Sequence, residues 1–283
     1  MDSLPKSLDP KEWAIAKDGL LARRVGSWAE EKLFYLARYI DIFNKGMQYK
    51  WPRRAYIELF AASGRVMMDD ERELDGSAML ALNTEVPFTH HFFNDLEPLA
   101  IDSLKRRVGD TAALVAYETR DCNDAARLFR SKLPPDSLDL LFIDPTNWQI
   151  QFDTIVELTK GRRMDLVMTF HVGGMKRAVD SAPRSLDDFF GTSDWKSAYQ
   201  ASLSAGLRQG GRILLDCYEQ QLRKIGYEWV VDDLTIRNTK NVSLYHLIFA
   251  SKNPRGEDFS KKISQRTSGG QLRWRFVTNP PLT

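Results

Sequence analysis

Between Trp28 and Lys45 the apolar residues Leu33, Leu36, Ala37, Ile40 and Phe43 recur at spacings of three and four. That period predicts an amphipathic helix. From residue 55 the pattern changes to short apolar runs separated by helical stretches. Strands are expected at 55–61, 90–95, 113–117, 138–143 and 164–170, and helices at 75–82, 96–108, 123–133 and 152–159. The run at 138–143 is apolar on both faces, as strands of a parallel sheet covered on both sides are. A helix at 195–207 and, after Gly210-Gly211, a strand at 212–217 follow. Two β-rich runs at 228–237 and 242–250, split by Asn238, Lys240 and Asn241, predict an antiparallel hairpin at the sheet edge.

The pattern implies a doubly wound, mostly parallel α/β sheet with an N-terminal helix and a C-terminal antiparallel hairpin. The chain divides into a polar segment at 1–26, expected to be loosely attached, an α/β domain at 27–250, and a basic extension at 251–283.

Composition narrows the reading. A chain of 283 residues suffices for one large domain. Forty basic against 38 acidic residues give a net charge of +2, which selects neither nucleic acid nor an anionic membrane as partner. The two cysteines, Cys122 and Cys217, lie far apart and match neither a disulfide framework nor a metal-ligand spacing. No stretch approaches the roughly 20 apolar residues of a membrane span, and the start lacks a secretory pattern. A cytoplasmic location without membrane contact is the expectation. The extension carries Lys252, Arg255, Lys261, Lys262, Arg266, Arg273 and Arg275 interleaved with Phe259, Trp274 and Phe276. Such a mixture suits single-stranded nucleic acid, or a solvated helix followed by a packed strand at 271–277.

In a doubly wound sheet, ligands bind outside the carboxyl ends of the strands. After the first strand come Glu58, Phe60, Ala61, Ala62, Ser63 and Gly64. Small residues let the backbone turn sharply against a ligand. The run resembles the first motif of methyltransferases that use S-adenosylmethionine (SAM), with Ala62 where glycine is usual and a positive φ would be strained. It lacks the G-x-G-x-x-G of dinucleotide enzymes, which disfavours a nicotinamide dehydrogenase. After the second strand, Asp95 is placed to accept ribose hydroxyls, with Glu97 second, or else these acids cap the next helix. Asp121 and Cys122, after the third strand, suit an adenine amino group and ring, or again a helix cap. After the fourth strand Asp144 and Pro145 resemble the D-P-P-Y motif of amino-methyltransferases, with Thr146 and Asn147 in place of proline and aromatic. Trp148 offers a stacking face one step on, or packs. His171, at the end of the fifth strand, suits a general base or a structural histidine, and Gly173-Gly174 a mobile turn beside it.

The ordered set Trp28 with Glu31-Lys32, YIELFAASGR, DGSAMLAL, FFNDLEP, LLFIDPTNW and SLYHLIFASKNPRGEDF resembles the three-Cys-motif partner (TcmP) family over roughly residues 28–259. The resemblance implies a Rossmann-like methyltransferase fold with SAM as cofactor and a partner protein bearing three cysteines. The leading expectation is SAM-dependent transfer to a nucleic-acid amine, although the resemblance itself does not supply the substrate; the departures at Ala62 and at Thr146-Asn147 motivate the alternative, a non-catalytic methyltransferase-like binding module that works with a protein partner. Glu58, Phe60, Ala61, Gly64, Asp95, Asp121 and Cys122 would hold the cofactor. Asp144, Pro145, Trp148 and His171 would serve the acceptor.

Overall fold

The computed structural model describes residues 4–205, 210–237 and 243–264. In chain order the elements are β1 (Trp13–Ile15), β2 (Leu21–Val25), α1 (Trp28–Met47), β3 (Arg54–Glu58), β4 (Arg65–Met68), β5 (Glu73–Asp75), α2 (Ser77–Leu82), β6 (His90–Asn94) and α3 (Pro98–Val108). They continue with β7 (Leu114–Glu118), α4 (Cys122–Lys132), β8 (Leu138–Ile143), α5 (Phe152–Thr159), β9 (Arg163–Phe170), α6 (Val172–Ala178), α7 (Pro183–Phe190) and α8 (Asp194–Ser204). The last elements are α9 (Gly210–Lys224), β10 (Trp229–Arg237), β11 (Ser243–Ser251) and α10 (Pro254–Ser264).

The main sheet has seven strands in the order β10-β11-β9-β8-β3-β6-β7. The five strands from β7 to β9 are parallel, and β11 runs antiparallel to both β9 and β10. The strand order reverses between β3 and β8, which pair directly. The expected doubly wound sheet with a terminal hairpin is therefore present; the turn residues 238–242 lie outside the described residues.

Alternation along the central strands divides the core into two layers. Ile57, Leu141 and Ile143 face α4, α5, α7 and α9, whereas Tyr56, Leu140 and Phe142 face α1, α2, α3 and α10. Burial on both faces is why these strands read as continuous apolar runs.

Three expectations are corrected. Residues 212–217 are helical, inside α9. Leu214, Leu215, Tyr218 and Leu222 form its buried stripe, and Arg212 pairs with Asp216 one turn on. Gly211 serves close helix packing: a Cβ there would lie 2.4 Å from Val172 Cγ1. Gly173-Gly174 belong to helix α6. The N-terminal segment is not loose, because β1 and β2 join β4 and β5 in a second, four-stranded sheet. Arg107 ties that sheet to the main domain, donating to the Leu21 and Ser63 carbonyls at 2.5 and 2.6 Å and pairing with Asp18. The first loop leads into the β4–β5 hairpin, and the helix expected at 75–82 follows it as α2.

Candidate functional site

A cavity of about 500 Å³ opens at the carboxyl ends of β3, β6, β7 and β8, beside the reversal in strand order. This is the place where doubly wound sheets hold their ligands, and the volume is that of a small-molecule site. Phe60 and Ala62 come to it from the loop after β3, Asp95 and Glu97 from after β6, and Asp121 and Cys122 from after β7. Asp144 and Pro145 follow β8, and His171 follows β9. The small sheet closes the remaining side with Glu12, Trp13, Arg23 and Val25.

The loops are cross-linked beneath the cavity by Asn94, which is buried. Its amide donates to the Leu59 and Arg120 carbonyls at 3.1 and 3.0 Å and accepts from the Arg120 amide at 3.2 Å. One side chain thus fixes the loops after β3, β6 and β7 relative to one another. The Asp95 carboxylate links the first two of these loops, accepting from the Ala62 amide at 2.8 Å and the Glu97 amide at 3.0 Å. Burial raises its pKa, and those two amide bonds pull it back. Glu97 is the N-cap of α3, bonding the Leu99 amide at 3.0 Å. Ala62 has the expected left-handed backbone, with φ 48°, a conformation that costs an L-residue about 1–2 kcal/mol. The bond from its amide to Asp95 offsets part of that strain.

Asp121 is the N-cap of α4, accepting from the amide and the side chain of Asn123, both through Oδ1. Cys122 is buried next to it, and burial pushes its thiol up to about 12. It is a neutral, apolar wall element rather than a thiolate.

Asp144 is held by two partners, an ion pair with Lys32 from α1 and a hydrogen bond from the Thr169 hydroxyl at 2.6 Å. Burial alone would raise its pKa, but Lys32, the Thr169 hydroxyl and His171 together bring it below the ordinary carboxylate value. Asp144 is therefore an anion at neutral pH. The His171 ring packs against Tyr245, with centroids 5.3 Å apart, and lies 3.5 Å from the Thr169 hydroxyl. Burial lowers its pKa, so the imidazole is neutral. Lys32 stands in the sequence within the Glu31-Lys32 pair, without a role; its pairing with Asp144 is not visible there, since the two lie 112 positions apart.

Other expected residues fall outside the cavity. Glu58 is fully buried below it, accepting from the Tyr56 hydroxyl at 3.1 Å and from the Ser77 hydroxyl. Burial pushes its carboxyl up to about 8, against the pull of those two hydroxyls. Ala61 is buried in the core and Gly64 turns the loop at φ 76°. A Cβ on Gly64 would lie 2.7 Å from Leu104, so both residues shape the loop without lining the cavity. Trp148 packs on the core and borders a separate, shallower cleft with Asn147 and Ser185.

Five carboxylates and three cations line the cavity. Two of the cations beside Lys32 are also engaged, Arg23 by Glu12 and Arg120 by Glu118. Among the described residues Asp95, Glu97 and Asp121 have no cationic partner in an ion pair. The cavity therefore favours a ligand carrying positive charge together with hydroxyl and amino donors. A sulfonium-containing nucleoside such as SAM has that chemistry.

No family model matches the chain, and no curated protein matches it. Among solved structures, a Legionella pneumophila protein of the family described as DUF519 is similar at 10% identity and a TM-score of 0.53, over 83% of this chain and 91% of that one. The O-methyltransferase TomG of Streptomyces achromogenes, solved with SAM, is similar at 14% identity and a TM-score of 0.45, over 81% of this chain and 82% of that one. At these identities the likeness is one of fold. With its strand order and terminal hairpin, the chain has a Rossmann-like, doubly wound α/β fold. Among the described residues no helix is long and apolar enough to cross a membrane, and no cluster of His, Cys, Asp and Glu is arranged to hold a metal ion.

Proposed function

We propose that the protein is a SAM-dependent methyltransferase acting on a nucleic-acid amine. The observation that carries this reading is the convergence of Asp95, Asp121 and Asp144, from the ends of three successive parallel strands, on one acid-rich cavity. Each carboxylate oxygen can accept more than one hydrogen bond. Asp95 thus retains capacity for the ribose hydroxyls beyond its two amide bonds, and Asp121 for the adenine amino group. Phe60 and Cys122 flank the base, while Glu58, Ala61 and Gly64 hold the loop beneath. Bound SAM supplies a methyl group on a positively charged sulfonium.

The chain contributes mainly position and orientation. Asp144, an anion beside Pro145, accepts the hydrogens of the acceptor amine and fixes its lone pair toward the methyl carbon. The neutral imidazole of His171 would take the proton that the amine loses as its new N–C bond forms and the methyl–sulfur bond breaks, the bonding pair staying on sulfur as the neutral thioether leaves. Trp148 serves acceptor binding only from the neighbouring cleft. Membership of the TcmP family, a three-cysteine partner and a cytoplasmic location belong to the same proposal.

The test is transfer of labelled methyl from SAM to single-stranded DNA and RNA, with and without a three-cysteine partner. Incorporation lost in Asp144→Ala supports the reading. SAM binding without incorporation into any nucleic acid favours the second reading, a non-catalytic binding module, for which the occupation of Asp144 by Lys32 is the specific argument.

A further inference from the structure

A second cavity, of about 320 Å³, lies at the opposite end of the sheet, where β9 begins and β11 ends. Its wall combines Lys50 and Trp51 after α1, Arg163 at the start of β9, and Lys252 and Arg255 at the β11–α10 junction. Among the described residues none of these four cations takes part in an ion pair, whereas the neighbouring Arg162 is committed to Asp139 at 2.6 Å. Lys252 is half-buried, with its ammonium bonded to the Thr159 carbonyl at 2.9 Å and 4.9 Å from the Tyr227 ring centroid. Partial burial of a cation without a counter-charge is costly, and burial lowers its pKa. The one acid in the wall, Asp165, is engaged by the Tyr39 hydroxyl at 2.9 Å and the Ser251 hydroxyl at 2.6 Å, and burial pushes its carboxyl up to about 6. The Arg163 guanidinium lies 4.9 Å from the Trp51 centroid, and Tyr49, two residues earlier, is 93% exposed.

Unpaired cations set among aromatic rings are the chemistry that holds a phosphate with its base stacked beside it. We propose that this cavity binds the phosphate of a nucleotide unit, with Lys50, Arg163, Lys252 and Arg255 meeting the phosphate and Trp51 the base. The site lies on the far side of the sheet from the acid-rich cavity, and the inference holds whether or not SAM binds there.

The full chain is titrated at about 50 mM salt with thymidine 5′-monophosphate and with short thymidine oligonucleotides bearing a 5′-phosphate or a 5′-hydroxyl. All are measured with and without S-adenosylhomocysteine, and the variants, whose substitutions lie outside the acid-rich cavity, separate this site from that one. The expected result is binding that weakens by about tenfold or more in the triple variant Lys50→Ala, Arg163→Ala, Arg255→Ala, together with a shallower dependence on salt. If that variant melts early, Arg163→Glu alone, at an exposed position, makes the same test. Equal binding of the 5′-hydroxyl oligonucleotide identifies internal phosphodiesters as the source, and dependence on the 5′-phosphate identifies a monoester. Failure of all three probes to bind the intact protein, or wild-type affinity in the folded variants, overturns the proposal.

Discussion

Lys32 of α1 and Asp144 at the end of β8 form an ion pair inside the candidate active cavity. Their side chains are 15% and 21% exposed, so neither charge is well solvated. The pair joins the N-terminal helix to the centre of the sheet and keeps Asp144 ionised where the acceptor is proposed to sit. Removing one partner leaves the other as an uncompensated charge in a poorly solvated place, which is expected to cost about 3 kcal/mol. Lys32→Met should therefore lower stability by about that much in urea denaturation. The double variant Lys32→Met, Asp144→Leu should recover part of it, and strictly additive losses would show that the pair is not energetically coupled.

Glu58 makes stability depend on pH. Its folded-state carboxyl sits at about 8, above its ordinary value of 4.5, so between those values the folded protein binds more protons than the unfolded one. Stability then falls as pH rises through that window and levels off above about 8. Tyr56, Ser77, Asp144 and Lys32 set the environment. Glu58→Gln should flatten this part of the curve, read from urea midpoints between pH 5 and pH 9, about the window in which the two states differ. An unchanged slope would mean that Glu58 ionises normally.

Asn94 lines the cavity and holds its loops together, so its loss should affect both stability and binding. Asn94→Ala removes three hydrogen bonds that lock the loops after β3, β6 and β7 and leaves the buried Leu59 carbonyl and the partly buried Arg120 backbone without those partners, at about 1–3 kcal/mol for a fully buried group before relaxation. A loss of roughly 2–3 kcal/mol in stability is expected, with weaker SAM binding even at temperatures where the variant is folded. Asn94→Ala with wild-type affinity would separate loop order from binding.

Ala62→Gly tests the departure from glycine in the first loop. Relief of the strain at φ 48°, set against the greater freedom of glycine in the unfolded chain, predicts a gain below about 1 kcal/mol. Because Asp95 already holds the Ala62 amide, affinity for SAM should change by less than about threefold, well under 1 kcal/mol. A sharp gain in affinity would instead show that the alanine loop closes the pocket.

Much of this architecture is legible in the sequence because β3, β8 and β9 are buried on both faces and appear as apolar runs between helices. The chemistry after each strand follows from that, which is why Asp95, Asp121, Asp144 and His171 could be placed around one site. The small sheet is far less legible. β1 and β5 have three residues each, and β2 and β4 carry arginines at partly exposed positions. Only the Asp69-Asp70 turn, with Glu71 at φ 60°, marks a hairpin. The short apolar run Ile213-Leu214-Leu215 in α9 suits either period, and the stripe that decides it extends to Leu222, beyond the window of a strand. The pairing of Lys32 with Asp144 carries no local signal, because only the folded chain brings α1 over the end of β8. The residues 265–283, with the basic and aromatic tail at Arg266, Arg273, Trp274, Arg275 and Phe276, lie outside the described residues.

The central claim, that the acid-rich cavity is a SAM site, is tested most directly by calorimetric titration of the full chain with SAM and S-adenosylhomocysteine, alongside Asp95→Asn and Asp121→Asn. Micromolar binding is predicted, weakened by about tenfold, or 1.4 kcal/mol, in each variant while the melting temperature holds. A folded wild-type protein that binds neither compound, or variants that bind both as tightly as the wild type, would contradict it.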